Sequence, residues 1–477
     1  MERRSGAKGN AEQPHMRRTQ SRESMSQRLS RVREAAKQRK KERFTALFHL
    51  LTAEALENAF LSLSRKAAAG VDGVRWKDYA ENLKVNIADL HRRLHQGSYR
   101  AQPGRRHYIP KADGKQRPLG IASLEDKIVQ YALVKILNAV YENDFMGFSY
   151  GFRPGRSQHN ALDALATGLV RTNVNWVLDA DISQFFDKVS HEWLIRFIEH
   201  RIGDQRVIRL IRKWLTAGTS EEGEWRASEE GEWRASEEGT PQGAVISPLL
   251  ANIYLHYVFD LWAHQWRRRH ATGNVVMVRY ADDIVIGFDK RIDAQCFRIA
   301  MQRRLKEFGL TVHPKKTRLM EFGRFAAENR ASRGKGKPET FNFLGFTHIS
   351  GKDRSGRFML IRKTRRDRMT ATLKAIKDGL RKRWHYSIPE QGKWLRRVVQ
   401  GYLNYHSVPG NYPMMRKFRI YVTDLWRRAL RRRSQQDDTT WTKANRLAAV
   451  WLPKVRVLHP WPVERFTARH PRQEPGA

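Results

Sequence analysis

The stretch 275–286 constrains the fold more than any other. Two β-branched runs, 275–278 and 284–286, flank Tyr280-Ala281-Asp282-Asp283. Apolar runs on either side of a short polar turn predict a β-hairpin. Asp282 and Asp283 then crowd two carboxylates at its tip, where they repel unless something positive sits beside them. Mg²⁺ suits such a place, because it takes hard oxygen ligands from one or two carboxylates and from phosphates. Two adjacent aspartates alone are a weak signal, since most such pairs are exposed turns. The flanking strands strengthen it by fixing the tip.

A two-metal site needs a further carboxylate from elsewhere in the chain. Asp181 can supply it. It ends a short apolar strand beginning Trp176-Val177-Leu178 and opens the stretch 181–187, DISQFFD. One carboxylate at a strand end and two at a neighbouring hairpin can clamp two ions about 4 Å apart. One ion would activate an attacking hydroxyl and the other would neutralise a leaving pyrophosphate. Taken singly, Asp181 reads equally well as a helix N-cap, and Asp187 reads as a structural group.

Charge gives the substrate class. Ninety Lys and Arg stand against 49 Asp and Glu, a formal +41. Such a surface repels itself unless a polyanion neutralises it, and nucleic acid is the usual partner. No run of 18 apolar residues is present, so no membrane span is expected. The basic N-terminus lacks the apolar core of a secretory signal. A single cysteine, Cys296, excludes a disulfide framework within the chain and zinc sites built on cysteine pairs. A reducing, cytoplasmic setting fits.

Residues 1–45 are polar and very basic, and are expected to be disordered until they meet RNA. From 46 the chain turns globular. A helical stripe runs through Ile128, Val129, Ala132, Leu133, Ile136, Leu137 and Val140, with Ser123 and Asp126 as its N-cap signal. Helices and strands mix without regular βαβ alternation, which predicts an α+β fold. After about 350 the strands fade, and 362–384, 393–405 and 416–433 read as basic helices. The segment 220–227, SEEGEWRA, recurs at 228–235. Two copies are too few for a solenoid. We read them as a local duplication in a surface hairpin, whose acidic charge points away from the nucleic-acid cleft.

Together these motifs resemble the palm of reverse transcriptases. The resemblance implies a right-hand polymerase of fingers and palm, with Asp181, Asp282 and Asp283 catalytic and Ile182 joining them at the metal site. Its cofactor would be two Mg²⁺, with Mn²⁺ as a substitute. Phe186 matches the aromatic gate that meets a ribose 2′-OH and so selects dNTPs. The stretch 239–250, GTPQGAVISPLL, resembles the motif beneath template and nucleotide, with Gln242 at the dNTP and Gly243 at nucleic acid. Its Ala244 stands where the family usually has Gly, and would cost roughly 1–2 kcal/mol if φ were positive there. The stretch 109–121, IPKADGKQRPLGI, looks like the fingers hairpin, turning at Asp113-Gly114. Lys111 and Arg117 would reach the triphosphate from its two strands. The stretch 309–317 resembles the next palm motif and makes Lys316 a candidate proton donor to pyrophosphate. Tyr280 and the turn at Leu344 and Gly345 would hold nucleic acid, as would Arg362, Lys363, Arg365 and Arg366 beyond them.

The likeness narrows to group II intron proteins. The region 51–73 looks like their N-terminal extension, 148–157 (FSYGFRPGRS) is characteristic of the lineage, and 398–405 (VVQGYLNY) resembles the maturase thumb. Fingers and palm would then occupy 46–350, a helical thumb/maturase unit 351–435, and a short basic tail that could bind DNA 436–477. The implied partners are intron RNA, an RNA template, a DNA primer or target, and dNTPs, with no membrane. Many relatives end in an HNH endonuclease with cysteine pairs, and that module is not expected here. Two other readings stay open: an RNA-binding splicing cofactor without catalysis, and a domesticated bacterial reverse transcriptase in defence or repair.

Overall fold

The computed structural model of the chain describes residues 24–110, 116–220, 238–240, 243–433 and 439–469. In chain order the strands are β1 (Gly104–Pro110), β2 (Gln116–Ile121), β3 (Trp176–Asp181), β4 (Thr219–Ser220), β5 (Val275–Tyr280), β6 (Asp283–Phe288), β7 (Arg318–Glu321), β8 (Phe341–Phe343), β9 (Phe346–Lys352) and β10 (Phe358–Thr364). They form three small sheets, ordered β2-β1-β4, β5-β6-β3-β7 and β10-β9-β8, set among helices. The architecture is α+β.

The central sheet is antiparallel throughout and buried on both faces. One face carries Leu178, Met277, Ile284 and Ile286 into the large core. The other carries Val177, Val276, Val278, Val285 and Met320 into a second core with Phe341, Phe343 and Phe346. Alternation along a strand sorts the side chains this way, so Asp179, Asp181 and Asp283 share the second face. The hairpin expected at 275–286 forms as β5 and β6.

The helix Leu124–Tyr141 bears out its stripe: Ile128, Val129, Leu133, Ile136, Leu137 and Val140 are buried. Ser123 caps it, its hydroxyl accepting from the Asp126 amide at 3.2 Å. A third core joins the helices Arg366–Arg381, Ile388–His406, Tyr412–Arg431 and Trp441–Trp451. Among the described residues, no helix is long and apolar enough to cross a membrane.

The structure departs from the sequence reading in three places. Strands do not fade at 350: β9 and β10 pair over seven residues, so 362–364 is strand and the helix begins at Arg366. The basic stretch before 45 is not wholly irregular. Met25–Gln38 is a helix with a Ser24–Gln27 capping box and a fully buried Ala36. The buried Arg201 guanidinium supplies the reason: it donates to the carbonyls of Ala36, Arg39 and Glu42 and pairs with Asp144. Finally, the segment after 436 packs. Ala448 and Leu452 enter the third core, and Phe466 of the helix Pro462–Arg469 enters the second core of the central sheet.

Most of the duplicated segment, the Asp113-Gly114 turn, Lys111 and Gln242 lie outside the described residues.

Candidate active site

Backbone pairing brings the three aspartates together. Asp181 at the end of β3 lies directly opposite Asp283 at the start of β6. Directly opposed residues hold their Cβ atoms about 4.5–5.5 Å apart. Asp283 pairs on its other side with Tyr280, leaving Ala281 and Asp282 as a two-residue loop. Burial in the cleft, then repulsion from Asp282 and Asp181, pushes the Asp283 carboxyl up to about 7, although its side chain opens to solvent. Asp179, two residues before Asp181 on the same face, is also held up at about 7, chiefly by burial. The sequence reading did not single out Asp179. Its acidic neighbour at a two-residue spacing was the available signal.

Three cations answer this charge, with Arg318 the strongest of them on Asp179. Lys316 Nζ stands 2.9 Å from Asp181 Oδ2. It is brought there because the His313 amide donates to the Asp181 carbonyl at 2.7 Å, which lays the 309–317 loop along the end of β3. The positive charge of Arg365 acts to lower Asp283 and Asp179.

The donor chemistry suits Mg²⁺: hard carboxylate oxygens crowded closely enough that burial and mutual repulsion still raise Asp283 and Asp179. Among the described residues, no three such side chains are yet gathered around a single point. Asp181, Asp282 and Asp283 are neighbours through the backbone. Ile182 buries its side chain in the large core, so its carbonyl is the group it could offer.

The hairpin tip is held from beneath. Ala281 takes φ +57, a left-handed conformation that costs a non-glycine residue roughly 1–2 kcal/mol. Arg279, fully buried, uses all five of its N–H groups. It makes a bidentate pair with Asp260 at 2.7 and 2.5 Å and donates to Asn252 Oδ1, Ser149 Oγ and the Ala281 carbonyl. A π-helical turn, His256–Asp260, interrupts the helical run that starts at Ser247 and carries Asp260 at its end. Such turns recur at functional sites. Gly151 completes the support, since a Cβ there would stand 2.3 Å from the Ala281 nitrogen. Sequence reasoning missed Arg279, Asn252 and Asp260. An arginine inside the run VVMVRY was the available signal.

The remaining expected residues divide. Phe186 is half-buried and lies edge-on to the core residue Phe185 at 5.4 Å, with its carbonyl accepting from the Thr240 amide at 2.7 Å. Gly243 needs to be glycine: φ is +109, and a Cβ would meet the Gly120 carbonyl oxygen at 2.9 Å. Ala244 has no positive φ, so the cost expected there does not arise; the positive φ falls on Gly243, which adopts it freely. Arg117 lies opposite Ile109 in the β1–β2 hairpin. Leu344 (φ +45) and Gly345 (φ +80) form the turn between β8 and β9, and the Tyr405 hydroxyl donates to the Leu344 carbonyl at 2.8 Å. Lys363 and Arg366 are exposed, while Arg365 pairs with Asp367 at 2.7 Å. Arg362 is a correction. It is 2 % exposed, pairs with Asp163 across 3.6 Å and lies near Arg465, which also holds Asp163. A guanidinium enclosed in this way offers no face to nucleic acid.

Residues 109–348, half of the chain, match the family model described as reverse transcriptase (RNA-dependent DNA polymerase). Protein YkfC of Escherichia coli (strain K12) is 41% identical over 214 residues, 44% of this chain and 54% of the relative. The group II intron-encoded protein LtrA of Lactococcus lactis subsp. cremoris is 36% identical over 231 residues, 48% of this chain and 37% of LtrA. The putative COX1/OXI3 intron 1 protein of Saccharomyces cerevisiae is 25% identical over 401 residues, 70% of this chain and 46% of that protein. The matches thus span about half, or less, of each relative's length. With the paired aspartates inside the matched region, the chain belongs to the reverse transcriptase family, and its likeness within that family runs to the proteins encoded by group II introns.

Proposed function

We propose that this chain is an RNA-directed DNA polymerase that also serves as the splicing maturase of a group II intron and supports retrohoming. The observation that carries the reading is the register of β3 on β6, which sets Asp181 against Asp283 beside Asp282. A chain that only bound RNA would gain nothing from crowded carboxylates next to a phosphate backbone.

Asp181, Asp282 and Asp283 would hold two Mg²⁺, with Mn²⁺ as a substitute. When bound, the ions lower the pKa of a primer 3′-OH and neutralise the leaving pyrophosphate. The chain's own groups do the rest. Lys316, whose Nζ stands beside Asp181, would give a proton to pyrophosphate. Phe186 would meet the sugar of the incoming dNTP, and Gly243 would let the backbone approach it. Lys111, Arg117 and Gln242 would bind the dNTP with them. Tyr280, Leu344, Gly345, Lys363, Arg365 and Arg366 would hold the primer and template. The helical unit from Arg366 onward would act as thumb and maturase surface, taking intron RNA by charge and shape.

Primer extension on an RNA template tests this. Wild type should extend a DNA primer with dNTPs and Mg²⁺. Asp283→Ala and Asp181→Asn should each lose at least about 10³-fold, roughly 4 kcal/mol of barrier. Full extension by Asp283→Ala, or none by folded wild type, would sink the polymerase reading. In the second case, retained intron splicing would leave a cofactor that only binds RNA.

A further inference from the structure

We propose that Phe152 is a primer-binding residue whose ring packs on the base at the 3′ end of the primer strand. The proposal rests on the polymerase reading above and extends it to the motif at 148–157, to which that reading gives no ligand.

Phe152 has a left-handed backbone, φ +58, which an aromatic residue seldom adopts. Among the described residues, the other non-glycine positions with positive φ are Gln184, Ala281 and Leu344. Each of these lies in a motif of the catalytic cleft, and backbone strain gathers at functional sites.

The residues around Phe152 are tightly fixed. Gly151 presses on the Ala281 nitrogen, and its carbonyl accepts from Asn252 at 2.7 Å. Arg153 is buried, pairs with Glu142 at 3.0 Å and donates to the Met146 and Ser149 carbonyls at 2.8 Å. The segment is also bonded to the edge of β5: the Arg279 amide donates to the Phe148 carbonyl, and the Tyr150 amide to the Arg279 carbonyl. Against these anchored neighbours the Phe152 ring stands out, 48 % exposed.

That ring lies 6.4 Å from the Tyr280 ring. Tyr280 is directly opposite Asp283 and immediately precedes the catalytic loop. A flat apolar group at this position, in a chain of formal charge +41, fits a nucleic-acid base. Bases stack on aromatic rings whatever their sequence. The strand nearest the carboxylates is the one whose 3′ end they act on, so the occupant is the primer terminus.

The test is binding of a labelled DNA primer annealed to an RNA template, followed by anisotropy in EDTA with the full chain. Phe152→Ala should weaken binding about tenfold, within the range of one lost base stack. Phe152→Trp should stay within about twofold of wild type. With an abasic site at the primer's 3′ terminus, wild type and Phe152→Ala should converge. Equal binding by wild type and Phe152→Ala on the intact duplex would overturn the proposal. So would a difference that survives the abasic primer terminus and disappears with an abasic template position instead. Phe152→Gly relieves the positive φ, so it should fold at least as well as wild type and show the same loss. Because binding is read without catalysis, a wild type that binds but never extends would remove the polymerase reading and still leave Phe152 judged.

Discussion

Phe186 shows how much can depend on one side chain. Its neighbour Phe185 is buried against Tyr254, whereas Phe186 is half-exposed beside the end of β3. Of two adjacent rings, the core encloses one, while the other packs on its edge and stays half open. If Phe186 excludes a 2′-OH by contact, Phe186→Ala should raise the relative kcat/KM for ribonucleotides by about 10- to 200-fold, the usual range for a steric pocket contact. Steady-state extension with rNTP and dNTP measures it, and unchanged sugar discrimination would remove the assignment. The sequence made Phe186 legible because it stands five residues after Asp181. Arg362 was misread for the opposite reason. Beside Lys363, Arg365 and Arg366 it looks like one more surface cation, and its partner Asp163 is nearly two hundred residues away.

At the scale of elements, the β5–β6 hairpin depends on a base of polar groups that pattern reading sees only in part. The β-branched runs and the turn announced β5 and β6, and the stripe with its cap announced Leu124–Tyr141. The apolar run around Arg279 hints that it points inward, but not at its partners Asp260, Asn252 and Ser149, which lie 19, 27 and 130 residues away. Asp260→Asn leaves a buried guanidinium without its counter-charge, and breaking such a pair typically costs about 3–5 kcal/mol. Denaturant unfolding should show a loss of that size. A change below about 1 kcal/mol would mean the pair does not brace the hairpin. The strand β10 escaped notice because in FMLIRKT the alternation ends in a basic run that reads as the start of the following helix.

Across the whole molecule, buried histidines tie stability to pH. Burial holds His348 at about 3, with His256 and His406 at about 4. In the unfolded chain each takes up a proton near pH 6.5. The stabilising effect of a neutral buried histidine is therefore complete above 6.5 and is lost as pH falls toward 4. The slope is about 1.4 kcal/mol per pH unit for each histidine that titrates. Asp179 and Asp283, both raised to about 7, act with the opposite sign over the same window. The clean measurement is a difference. Between pH 6 and 4, His348→Phe should lose stability more gradually than wild type, by about that slope. Parallel pH profiles would contradict it.

The helix Pro462–Arg469 covers the palm helix Gln158–Arg171, and Arg465 reaches Asp163 across 302 residues of sequence. A ribosome must therefore finish almost every element described above before this face of the palm can close. Until then the nascent catalytic half exposes an apolar seam around Phe466's socket. Emergence of Pro462–Arg469, rather than of the aspartates, sets the earliest moment at which this face is covered.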